Sequence, residues 1–129
     1  MDHIFYFDGD SKKIAWSIKT EKSLVNQNRI HPEIYLDIVN SEQAKYIAMH
    51  VGVFWCIGTF IIKNHDNVTI MIDSEAMYNH LAKNTPVQDE FIQKRTIFYK
   101  QLIEQRMLNI RYQLIKHEEN IASKFLMPE

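Results

Sequence analysis

The chain has 129 residues, 46% of them hydrophobic and 24% charged, which suits one globular domain and excludes disorder, collagen-like repeats and long coiled coils. Fifteen Lys and Arg against sixteen Asp and Glu exclude a generic polyanion binder, so any nucleic-acid contact must come from local patterning. The single cysteine, Cys56, excludes an internal disulfide, gives no support to a cysteine-based zinc site and suits a reducing, cytoplasmic setting, and the three glycines form no phosphate-cradling loop.

The opening Met1-Asp2-His3-Ile4 is acidic where a secretory signal needs positive charge, and no signal is expected. Residues Ile4 to Phe7 predict a strand that ends at the turn Asp8-Gly9-Asp10. Ile14 to Thr20 predicts a second strand and Ile34 to Val39 a third, joined as an antiparallel meander. Asn40-Ser41 with Gln43 supplies a capping box for a helix running to about Ile57, with Gly58 near its C-cap. The apolar stretch Ile47 to Ile62 falls short of the about 20 residues a membrane span needs, and predicts a buried helix followed by a strand.

Phe60 to Lys63 and Val68 to Ile72 flank the loop Asn64-His65-Asp66-Asn67. The run Val68 to Ile72 reads as an interior strand ending at Asp73-Ser74, and Ser74 can cap a short helix, Glu75 to Lys83. After the break Asn84-Thr85-Pro86, apolar spacing predicts a long helix from Gln88 to about Leu108. Ile110 to Lys116 follows as a strand, His117 to Asn120 as a loop and Ile121 to Met127 as a terminal helix. The order βββαβααβα is that of an α/β domain with a mixed sheet, occupying the whole chain.

Asp8 and Asp73 each close an apolar strand at its carboxyl end, where α/β sheets bind ligands. On neighbouring strands their carboxylates would converge, and close carboxylates need a cation or a proton between them. Magnesium accepts one or two carboxylates together with phosphate oxygens and water. Read without a ligand, Asp8 starts a turn and Asp73 caps a helix. Cys56 lacks a base partner, His50 belongs inside the helix, and no histidine spacing suggests zinc.

Four segments in order give the chain a resemblance to type 1 ribonuclease H. Phe5-Tyr6-Phe7-Asp8-Gly9 is similar to the first-strand motif with its metal-binding Asp. The segment from Asn40 to Ala48 resembles the TNNxAEYxA opening of the central helix. Ile70-Met71-Ile72-Asp73-Ser74 resembles the strand ending in DS, and the segment from His117 to Ser123 resembles REENxxAD, one residue shorter. The resemblance implies a mixed five-stranded sheet, three antiparallel strands then two parallel additions, with helices on both faces. It also implies two divalent ions, Mg2+ or Mn2+, held by an Asp, Glu, Asp, Asp quartet that cuts the RNA strand of an RNA/DNA hybrid.

The sequence keeps Asp8 and Asp73 but has Lys45 at the Glu position and Ser123 at the last Asp position. Two outcomes are open. In one, the domain is a divergent metal-dependent nuclease, with Glu42, three residues before Lys45, turning in as a migrated ligand beside Asp8 and Asp73. Glu118 or Glu119 would then replace the last Asp, and His117 would assist proton transfer. In the other, the Lys45 ammonium pairs with Asp8 and Asp73, and an inactive domain serves as a nucleic-acid-binding or protein-interaction module. Lys12, Lys13, Lys45, Ser74 and Asn120 are the expected substrate contacts. Lys19, Lys22, Lys94, Arg95, Lys100, Arg106, Arg111 and Lys116 are further cations that could meet phosphates of a hybrid or another nucleic acid. No membrane partner is expected, and a protein partner or homodimer is left open.

Overall fold

Alternation along DHIFYFDG buries His3, Phe5 and Phe7 on one side of the first strand, β1 (Asp2–Gly9). β2 (Lys13–Thr20) runs antiparallel beside it, with Phe7 opposite Trp16 and Phe5 opposite Ile18. β3 (Ser23–Ile30) lies antiparallel outside β2. On the other flank β4 (Asn67–Ile72) and β5 (Asn109–Leu114) are parallel to β1, giving the order β3-β2-β1-β4-β5. The computed structural model describes residues 1–127.

The helix α1 (Ser41–Gly58) crosses from β3 to β4 and packs on β1 and β2. Its start is fixed by the expected capping box: the Gln43 amide donates to Asn40 Oδ1 at 2.8 Å, and the Asn40 amide to Gln43 Oε1 at 3.0 Å. Gly52 lets the helix sit down on the sheet, because a Cβ there would lie 2.6 Å from Phe5 Cζ and 2.9 Å from Trp16 Cγ. Phe5 and Trp16 are fully buried, and burying a side chain of this size is worth roughly 1.5–3 kcal/mol. α2 (Glu75–Lys83) packs against β4 and β5, and α3 (Glu90–Gln105) packs on α1. The 3₁₀ turn Ser123–Leu126 packs against β1, β2 and β3. No helix is long and apolar enough to cross a membrane among the described residues.

The expected element order stands, with three local corrections. The third strand is Ser23–Ile30, not Ile34 to Val39. A two-residue turn at Glu21-Lys22, with Glu21 at φ 55°, returns the chain directly onto β2. Residues 34–39 form turns instead: the Leu36 amide bonds Pro32 O, the Val39 amide bonds Tyr35 O, and Asp37 has φ 60°. The apolar run at Phe60 to Lys63 is irregular, turned at Phe60 with φ 64°. A turn and the short 3₁₀ segment Ser123–Leu126 replace the terminal helix expected over Ile121 to Met127, and the expected loop at His117 to Asn120 carries a 3₁₀ turn, His117–Glu119.

Candidate functional site

The parallel register of β1 and β4 sets Tyr6 opposite Met71. Two residues further on, Asp8 and Asp73 therefore stand side by side at the carboxyl ends of their strands. Both carboxylates are internal, with side chains 5% and 2% exposed. Gly9 brings the opening of α1 over this rim: a Cβ on Gly9 would lie 2.7 Å from Ala44 O. The next residue of the helix is Lys45. Its ammonium lies 2.6 Å from Asp73 Oδ1 and 3.1 Å from Asp8 Oδ1.

Every carboxylate oxygen of the pair has a donor. Asp8 Oδ1 accepts from the Gly9 amide at 2.8 Å as well as facing Lys45, and Asp8 Oδ2 accepts from Ser123 Oγ at 2.5 Å. Asp73 Oδ2 accepts from Asn120 Nδ2 at 3.0 Å and lies 3.0 Å from His117 Nδ1. Burial alone would push the Asp73 carboxyl up, but bonds from Lys45, Asn120 and His117 outweigh it and hold the group below the usual range. Burial would likewise lower Lys45, and the two aspartates overcome it and raise the ammonium above its ordinary value. The site is thus a charged, fully hydrogen-bonded triad.

The expected residues separate accordingly. Asp8, Asp73 and Lys45 converge, joined by His117 and Ser123. Glu42 does not join them: it turns to α2 and accepts from Ser74 Oγ at 2.7 Å, while Ser74 Oγ caps that helix by accepting from the Met77 amide at 3.2 Å. Of the two neighbouring helix residues, the lysine therefore turns in and the glutamate away. Glu118 is exposed and Glu119 accepts from the Lys116 amide, so neither replaces the missing Asp. Asn120, expected as a substrate contact, is 5% exposed and braces the rim, donating to Phe7 O at 2.8 Å and to Asp73. Lys12 pairs with Asp37 at 2.5 Å on the surface. Lys13 sits beside the rim, its carbonyl accepting from the Asp10 amide at 2.9 Å. The Gly9 amide is a contributor that side-chain motifs do not reveal.

One ligand atom each from Asp8, Asp73 and His117 lie within 4.8 Å of one another, a set that could hold a metal. Hard carboxylate oxygens suit a divalent ion. The Lys45 ammonium lies on the Oδ1 atoms of both aspartates, while His117 faces Asp73 Oδ2, so a metal held with His117 would compete with Lys45 for the charge of the pair. As arranged, the two Oδ1 atoms hold an ammonium, and the Asp8, Asp73 and His117 set keeps the composition of a metal site.

No protein-family model and no curated protein matches the sequence. Solved structures do. Ribonuclease H1 from the halophilic archaeon Halobacterium salinarum superposes with a TM-score of 0.77 at 14% identity, covering 98% of each chain. The N-terminal ribonuclease H domain of Rv2228c from Mycobacterium tuberculosis gives 0.75 at 14% identity, over 95% of this chain and 88% of that one. LC11 ribonuclease H1, solved in complex with an RNA/DNA hybrid, gives 0.70 at 18% identity, over 95% and 91%. The strand order, the crossover and these superpositions agree that the chain has a ribonuclease H-like fold.

Proposed function

We propose that this ribonuclease H-like domain binds RNA/DNA hybrids at the rim formed by Asp8, Asp73 and Lys45, with the Lys45 ammonium standing where a divalent cation would otherwise be needed. The observation that carries the reading is the position of Lys45 Nζ, 2.6 Å from Asp73 and 3.1 Å from Asp8. Two buried carboxylates would repel a phosphate backbone. An ammonium between them offsets one of the two charges and weakens that repulsion. Lys13 on one side of the rim and Lys116, just before His117, supply cations for phosphates. The bound state of LC11 ribonuclease H1, which has the same fold, supports a hybrid as the ligand.

The test is binding of a labelled hybrid, followed by fluorescence polarisation, with magnesium and again with a chelator. The expected result is salt-dependent binding, equal in the two conditions, with the hybrid intact afterwards. No hybrid binding, or binding that requires a divalent ion, refutes the reading. A second reading, metal-dependent cleavage, is favoured by the Asp8, Asp73 and His117 cluster. It requires a metal to compete with Lys45 for the charge of both carboxylates. Cleavage in manganese that disappears in Asp73→Asn would establish it.

A further inference from the structure

A groove runs along the outer side of α1, between α3 and β3. It consists of three adjoining hollows of about 230, 270 and 280 Å³, all bordered by Val51. Arg29 on β3 and Arg95 on α3 both border the smallest of them. Phe54, one helical turn beyond His50, borders the other two and is 62% exposed.

The two arginines are held in a specific way. The Arg29 guanidinium lies 5.3 Å from the Trp16 ring centroid. The Arg95 guanidinium lies 5.8 Å from the Tyr35 ring and 5.6 Å from Phe91, donating to Tyr35 Oη at 2.9 Å and contacting His50 Nδ1 at 3.3 Å. Neither has a carboxylate within ion-pair distance among the described residues. A guanidinium stacked on an aromatic face is pre-oriented and keeps N–H groups for a planar anion. Two such groups across one hollow, with an aliphatic floor between, ask for carboxylates on either side of an apolar residue.

We propose that this groove docks an acidic segment of a protein partner, its carboxylates on Arg29 and Arg95 and an apolar side chain against Val51 and Phe54. The lining favours a peptide over nucleic acid. The apolar side chains between the two arginines, Ile14, Ile47 and Val51 among them, match an apolar residue flanked by carboxylates, whereas a sugar-phosphate backbone would be held by the two guanidiniums alone. None of its lining residues is among those that form the Asp8–Asp73 rim, and docking there does not depend on hybrid binding.

The probe is a fluorescein-labelled Asp-Glu-Leu-Phe-Asp-Glu peptide added to the full chain, with a Lys-for-Asp/Glu version as control and a single-stranded oligonucleotide as competitor. Saturable, salt-weakened binding of the acidic peptide alone is expected. Arg29→Gln and Phe54→Ser, both at exposed positions, should each weaken it roughly tenfold while leaving the melting temperature and hybrid binding unchanged. Absence of saturable binding overturns the proposal, as does binding indifferent to both substitutions. Displacement of the peptide by the oligonucleotide, lost in Arg29→Gln, also overturns it and marks the surface as a nucleic-acid contact.

Discussion

Lys45 and Asp73 meet at 2.6 Å across the gap between a helix and a strand, with side chains 14% and 2% exposed. The contact joins α1 to the end of β4, and a second, at 3.1 Å to Asp8, joins it to β1. One ammonium thereby ties together the three elements that build the rim. It also occupies one oxygen of each carboxylate.

Removing that ammonium should be costly. Lys45→Met leaves two internal carboxylates facing each other with no cation between them. Loss of one partner from a buried pair costs about 3–5 kcal/mol. Urea unfolding should show a loss of this size. A loss under about 1 kcal/mol, the range of exposed pairs, would mean that the contact is solvated and weak.

Changing the sign of the side chain should convert the site. Lys45→Glu, combined with Ser123→Asp, places further carboxylates beside Asp8 and Asp73. Like charges at this spacing destabilise the fold until a cation binds. The double variant should melt below the parent in a chelator and regain stability as manganese is added, since a ligand bound only by the folded state raises its melting temperature. The parent should not respond to manganese. A manganese-dependent rise in the parent would show that Lys45 yields to a metal.

The same triad predicts an acid and an alkaline limb of stability. Asp73 is held below its ordinary pKa, so its contribution is present above the unfolded value of about 3.9 and is lost as pH falls through the lower folded value. Lys45 is raised, so its contribution is complete below the unfolded value of about 10.4 and is lost as pH climbs through the higher folded one. Equilibrium unfolding across pH should show both limbs. Asp73→Asn should flatten the acid limb, and an unchanged profile would assign it to other carboxylates, Asp66 among them.

Gly9 sets the height of the helix above the rim. Gly9→Ala would drive a methyl to 2.7 Å from Ala44 O and 2.8 Å from Ala44 C, both backbone atoms that cannot swing aside. Overpacking of this kind costs roughly 1–3 kcal/mol. It should also lift Lys45 off Asp8, which nuclear magnetic resonance would read as a change in the Lys45 Nζ and Asp8 carboxyl signals. Full stability with unchanged signals would contradict the close approach.

Much of this was legible in the sequence because its cues are local. Asn40 and Gln43 announce the start of α1, Ser74 announces α2, and apolar runs ending in Asp8 and Asp73 mark two strand ends at one edge. β3 was not legible. Its Asn26-Gln27-Asn28 stretch lies on an edge strand, where little burial imposes alternation, and the pairing with β2 decides it. Ile34, Leu36 and Ile38 alternate as a strand does, yet Ile34 and Ile38 are 69% and 72% exposed, so that period reports no core. At the site, Glu42 and Lys45 are three positions apart on α1, and helical spacing alone does not say which turns inward. The Ser74 hydroxyl draws Glu42 towards α2, a contact between segments 32 residues apart.

A counter-ion carried on a covalent stem behaves unlike one drawn from solution. It cannot be chelated, diluted or exchanged for another element, and its stoichiometry is settled when the chain folds. The positive charge that Lys45 brings to this rim is therefore written into the polypeptide.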